Sequence, residues 1–203
     1  MGGDDVTAGS ERLEPRRGPV LHLLEAPRPL PAGRPAAVLA TVWPPRTDAA
    51  STAWQILLIE RSRTTGAHAG QFAFPGGAMD AADADARACA LREAREEIGL
   101  EPDWVRVDGY LSPVAIPVSG FSVQPVVAVV TAPVSPDDLR PAEAEVARIF
   151  FATRDELRAG ATWERRPSAS LRLGAWPVFH LPEGRLWGAT AMMVKELLRR
   201  WPD

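Results

Sequence analysis

From Phe74 to Leu100 the chain reads FPGGAMDAADADARACALREAREEIGL, and no other stretch constrains its fold as tightly. Gly76 and Gly77 allow a close backbone approach that side chains would block. The Ala-rich run from Ala84 to Ile98 then reads as a helix. Leu91, Ala94 and Ile98 fall at i, i+3 and i+7 on one face, and Gly99 supplies the C-terminal stop. Six carboxylates lie in this stretch. Asp80, Asp83 and Asp85 sit in the loop and at the helix start, where acids are favoured. Glu93 and Glu97 are four apart and stack on one face, with Glu96 bordering it.

Such stacking opposes helix stability. Like charges at this spacing cost roughly a few tenths of a kcal/mol per pair, and the C-terminal end of a helix disfavours negative charge. Mg²⁺ or Mn²⁺ removes both objections, because hard cations take oxygen ligands and leave positions for phosphate. On the hexapeptide REAREE alone a solvated acidic face, with Arg92 paired to Glu96, is the plainer reading. The glycine turn before it favours a metal–phosphate site.

The surrounding pattern is α/β. Apolar runs at Ala36–Trp43, Trp54–Arg61, Trp104–Ser112 and Ser122–Ala132 predict strands, and another is expected in EVARIFF. A small helix is expected near Asp155–Arg158, a pair of strands in SLRLGAWPVFHL, and a closing amphipathic helix in GATAMMVKELLRRW. Met192, Met193, Leu197 and Trp187 are expected in the core. Mixed strands with few helices predict an α/β sandwich in one domain, 35–203. Residues 1–34 mix Gly, Pro and charge and predict a flexible arm with one short helix around Val20–Leu24.

A net charge of −3 provides no basic field for nucleic acid. Lys195 is the only lysine among the 23 basic residues, so the cations are almost all planar arginine forks suited to phosphate. The single cysteine, Cys89, excludes an internal disulfide and reads as a small inert core residue. No apolar run is long enough to span a membrane, and the N-terminus lacks the pattern of a secretory signal. A cytoplasmic protein acting on a small molecule is the expectation.

The 74–100 segment resembles the Nudix box: Gly, five residues, Glu, seven residues, Arg-Glu, an apolar residue, any residue, Glu-Glu, any residue, Gly, an apolar residue. Gly77 matches the first position and Arg92 to Leu100 matches the whole second half. Asp83 stands where Glu is usual, and eight residues separate it from Arg92. The resemblance implies a Nudix-type α/β/α sandwich with a mixed sheet and a loop–helix–loop catalytic motif. It also implies hydrolysis of a nucleoside diphosphate linked to another group, with Mg²⁺ or Mn²⁺. Glu93 and Glu97 would be the main metal ligands, joined by the Gly76 carbonyl. Glu96 would complete the cluster or share in catalysis, and Arg92 would orient the glutamates. A later acid, Glu143 or Glu145, is a candidate general base. Glutamine at position 93 or 97 is expected to cost little stability, since the glutamates read as an exposed cluster.

Upstream, LLIERSRTTGAHAGQFAFPGG resembles a second signature, that of the coenzyme A pyrophosphatases of the same superfamily. Leu57, Leu58, Arg61, Ser62, Gly70, Phe74, Pro75, Gly76 and Gly77 match in register, whereas Ile59 and Gly66 replace the usual Thr and Arg. Arg61, Ser62, Gly70, Phe74 and Gly77 are therefore candidate substrate contacts, with His68 a further phosphate or loop-orienting candidate. The implied reaction cuts coenzyme A, or its derivatives, into 4′-phosphopantetheine and adenosine 3′,5′-bisphosphate. A broader ADP-ribose or dinucleotide diphosphatase is the alternative, favoured by Gly66. A non-catalytic nucleotide-binding module is a third reading, opposed by the intact Arg92, Glu93, Glu96 and Glu97.

Overall fold

Two long strands, β1 (Arg34–Trp43) and the strand Phe121–Val130, run parallel from Arg34↔Phe121 to Val42↔Val129. Both are covered on both faces, which is why they read as continuous apolar runs rather than alternating ones. The computed structural model describes residues 19–45, 53–63, 69–165 and 175–201. Around these strands the chain forms β2 (Gln55–Arg61), β3 (Phe72–Ala73), β4 (Gly76–Ala78), α1 (Ala86–Ile98), β5 (Val105–Tyr110) and β6 (Val114–Ile116). With Phe121–Val130 as β7, there follow β8 (Val146–Thr153), α2 (Arg154–Ala159), β9 (Ala161–Arg165), β10 (Ala175–Leu181), β11 (Gly184–Leu186) and α3 (Gly188–Arg200).

The main sheet is mixed and lies between helices. Ala37, Leu39, Leu57, Ile59, Val126 and Ala128 pack with Cys89, Ala90, Ala94 and Ile98 of α1. Ala40, Val42, Ile56, Leu58, Val127 and Val129 join Leu157 of α2, Phe179 of β10 and Val194 and Leu197 of α3. The expected α/β/α sandwich is what forms.

One irregularity positions the site. β1 and β2 pair only at Val42↔Ile56 and Trp43↔Gln55, and then part. In the fork, β3 takes over the edge of β2 (Ile59↔Ala73, Glu60↔Phe72) and β4 takes the edge of β1 (Ala36↔Ala78 to Val38↔Gly76). Phe74 and Pro75 cross between them, and Leu39 donates its amide hydrogen to the Pro75 carbonyl at 2.8 Å.

Most expected elements form with ends shifted by one or two residues. α1 starts at Ala86 rather than Ala84 because Asp85 is its N-cap and accepts from the Ala88 amide. Of the pair of strands expected in SLRLGAWPVFHL, one forms as β10, which pairs with β9 before it and β11 after it, and residues 170–174 lie outside the described set. The helix expected around Val20–Leu24 does not form. Leu24 and Tyr110 exchange amide–carbonyl bonds at 3.0 Å, and His22 donates to Arg200. Around residues 21–24 the chain thus lies against the domain, with Leu21 and Leu23 packed on the core. Met193 and Leu197 are buried as expected, but Trp187 is only half-buried and Met192 lies on the exposed side of α3. Among the described residues no helix is long and apolar enough to cross a membrane.

Candidate active site

The two glycines of the turn do different work. Gly76 has φ +154°, and a Cβ there would run into the Ala37 carbonyl and the Val38 backbone. A side chain at Gly77 would instead strike the Glu93 carboxylate, 2.5 Å from Oε1. One glycine therefore lets the turn lie on β1, and the other lets a glutamate of α1 lie on the turn.

Glu97 sits over the same turn. It is 2% exposed, and its Oε2 accepts the Gly76 amide hydrogen at 2.9 Å. Arg61, at the end of β2, reaches Glu97 Oε1 with Nη1 at 3.4 Å. Burial pushes the Glu97 carboxyl up to about 7, against the pull of the Gly76 amide and Arg61, and the charges of Glu93 and Glu145 push the same way. Burial likewise raises Glu93, against its hydrogen bond from Arg92. The sequence reading of these glutamates as an exposed cluster is thereby corrected. Only Glu96 is open to solvent.

Arg92 ties the cluster together. Its Nη1 donates to Glu93 Oε1 at 2.9 Å and to Glu96 Oε2 at 3.0 Å. Its Nε and Nη2 grip the two oxygens of Asp83 at 3.0 and 2.8 Å, a bidentate pair. The guanidinium holds the nearly buried Asp83 carboxyl down at about 2, and Asp83 raises Arg92 in turn. Asp83 carries a role the sequence does not assign: it stands where the box usually has Glu and among acids favoured near a helix start, with no partner named. Its only signal was its place in the motif.

The end of α1 also fixes the general-base candidate. Ala142 donates to the Glu97 carbonyl and Arg140 to the Ile98 carbonyl, both at 2.8 Å, so the 140–142 loop satisfies groups the helix leaves open. The Glu145 carbonyl then accepts from the Ser62 amide at 2.7 Å. Glu145 thus stands near enough for its charge to raise both Glu93 and Glu97.

The upstream candidates separate. Arg61 joins the carboxylates. Gly70 donates to the Arg61 carbonyl and Arg61 to the Gln71 carbonyl, both at 3.0 Å, closing the loop at its base. Ser62 is buried beside them. Phe74 is corrected: it is 2% exposed in the core on the α3 side, where it anchors the turn by packing and offers no face to a ligand. Gly66 and His68 lie outside the described residues. Cys89 is inert as expected, since burial pushes its thiol up to about 12.

Among the described residues, no three His, Cys, Asp or Glu side chains are already gathered to hold a metal ion. The carboxylates are turned to Arg92, Arg61 and the Gly76 amide. Their chemistry nonetheless fits a hard divalent cation: Glu93, Glu96 and Glu97 are oxygen donors, and burial and mutual repulsion oppose ionisation of Glu93 and Glu97. A pH dependence follows. A carboxyl raised from 4.5 to about 7 contributes stability that is present below its ordinary value and lost as pH rises through about 7. In chelator, the melting temperature of the Glu97→Gln variant relative to the parent should therefore rise between pH 5 and pH 8. Thermal melts at the two pH values check it.

A family model described as NUDIX domain matches residues 33–171. The chain is 38% identical over 156 residues to "Uncharacterized Nudix hydrolase NudL" of Klebsiella pneumoniae, covering 70% of this chain and 72% of that protein. The protein of the same name from Pectobacterium atrosepticum is 36% identical over 188 residues, covering 90% and 91%. Among solved structures, the MutT/nudix family protein from Enterococcus faecalis has a TM-score of 0.54 over 87% of this chain and 64% of that one. At 14% identity this is a likeness of fold alone. The family model spans the very strands that part to make the fork and the acidic helix that closes over it, so this chain belongs to the Nudix family and is a hydrolase of pyrophosphate bonds.

Proposed function

We propose that the chain hydrolyses the diphosphate of coenzyme A, or of its derivatives, to 4′-phosphopantetheine and adenosine 3′,5′-bisphosphate. The observation that carries this reading is the contact of Arg61 with Glu97, 3.4 Å across the fork. The arginine of the coenzyme A signature and the glutamate of the Nudix box, 36 residues apart, meet in one site.

Glu93, Glu97, Glu96 and the Gly76 carbonyl would hold Mg²⁺ or Mn²⁺, which when bound neutralises diphosphate charge and makes water a better nucleophile. Arg92, itself locked by Asp83, orients Glu93 and Glu96. Arg61, freed from Glu97, presents its fork to a phosphate oxygen. Glu145, or Glu96, takes the proton as water oxygen bonds to phosphorus and the bond to the bridging oxygen breaks. Ser62, Gly70 and Gly77 shape the turn and loop that meet the substrate.

A panel of coenzyme A, ADP-ribose, NADH and nucleoside triphosphates, each with Mg²⁺ or Mn²⁺, tests the substrate. Coenzyme A should give the highest kcat/KM. Rapid cleavage of ADP-ribose with coenzyme A untouched would establish the broader dinucleotide reading that Gly66 favours.

A further inference from the structure

Two guanidiniums serve the buried glutamates of α1, and they are held very differently. Arg92, which donates to Glu93 at 2.9 Å, is braced from behind by both oxygens of Asp83 and by the Ala78 carbonyl at 3.3 Å. Arg61 has no such brace. Among the described residues its one side-chain hydrogen bond is to Glu97 Oε1, and at 3.4 Å it is longer than any contact Arg92 makes with a carboxylate. The Arg61 backbone is fixed all the same. Its amide donates to the Gln71 carbonyl and its carbonyl accepts from Gly70, both at 3.0 Å, and it is paired with Val146 of β8.

The two oxygens of Glu97 are divided in the same way. Oε2 is tied to the Gly76 amide at 2.9 Å, whereas Oε1 has only the loose Arg61 contact among the described residues. A carboxylate this buried is costly to leave without a positive partner, so the arginine stays until another cation takes its place. A divalent cation and a guanidinium on the same oxygen would repel each other, so the two exchange rather than share.

We propose that Arg61 is a metal-released arm: a divalent cation taking Glu97 displaces the guanidinium, which turns about its fixed backbone to take a phosphate oxygen. Metal and phosphate ligand are then positively coupled through one side chain, and each strengthens binding of the other. Without metal, Arg61 remains on Glu97 and the fork offers an anion one cation fewer. The inference rests on the reading of Glu97 as a metal ligand, and adds that the site becomes an anion receptor only when the metal is bound.

Nuclear magnetic resonance of the arginine side chains tests it without turnover. The Arg61 and Arg92 Nε–H signals are assigned by their loss in Arg61→Lys and Arg92→Lys. The parent chain is then recorded in chelator and in Mg²⁺, each with and without methylenediphosphonate, a diphosphate whose carbon bridge resists hydrolysis. Mg²⁺ should shift the Arg61 signal and speed its hydrogen exchange, and the diphosphonate added in Mg²⁺ should slow it again. In chelator the diphosphonate should leave Arg61 unmoved, and Arg92 should stay protected throughout. By calorimetry, Arg61→Met should cost the diphosphonate about tenfold in affinity with Mg²⁺, within the usual span of coupling between sites, and nothing in chelator. An Arg61 signal that Mg²⁺ leaves in place, or an equal loss of affinity in both conditions, would overturn the arm. Coenzyme A cut by a chain whose Arg61 never leaves Glu97 would overturn the arm and leave the substrate assignment standing. Release of Arg61 with coenzyme A untouched would do the reverse.

Discussion

Replacing Glu97 with glutamine should lower kcat at least about 100-fold, since even residues that only support metal ligands cost about 10- to 100-fold when changed. The fold should survive. The amide oxygen of glutamine can still accept the Gly76 hydrogen that Glu97 takes at 2.9 Å. It also removes a buried negative charge that Glu93 and Glu145 already oppose. Glu93→Gln should lose turnover to a similar degree, with the amide oxygen retaining the bond from Arg92. Progress curves with Mg²⁺, alongside thermal melts in chelator, separate the two effects. If turnover fell only in proportion to the folded fraction, the glutamates would be structural.

The paired glycines give the other large effect, and they should fail differently. Gly76→Ala forces a side chain onto a φ of +154° and against Ala37 and Val38 backbone atoms that are held in the sheet. The expected cost is about 4 kcal/mol or more, in the range reserved for strain at special backbone positions. That is a large part of the roughly 5–15 kcal/mol holding a domain together. At Gly77 the obstacle is the end of the Glu93 side chain, which can swing away. Gly77→Ala should leave a folded protein whose Glu93 is displaced, with kcat reduced about 100-fold, the scale of an ångström-sized misplacement. Chemical denaturation and kinetics on both variants check the contrast.

The sequence carried the helix and the motif well, because both are local. Asp85, the Ala-rich run and Gly99 supply a cap, a body and a stop within a single stretch. β1 and β7 were legible because their two buried faces make long apolar runs. The fork was not legible. It depends on where β2 leaves β1 and on two strands of two and three residues, too short to show any period. For the same reason Glu97 read as exposed: what buries it is a turn 21 residues earlier in the chain. Phe74 was taken for a ligand contact because it stands inside the signature, yet its apolar ring belongs to the core beneath. Asp83 shows the reverse. A departure from the usual box residue proves to be the clamp on Arg92.

The central claim is that the carboxylates over the Gly76–Gly77 turn direct metal-dependent attack of water on a diphosphate. Hydrolysis of coenzyme A in ¹⁸O-labelled water, with product masses recorded, tests it most directly. The account predicts 4′-phosphopantetheine and adenosine 3′,5′-bisphosphate, with ¹⁸O in one phosphoryl group. Neither product should form with chelator or with Glu97→Gln. Diphosphate cleavage that continues undiminished under either condition would contradict it.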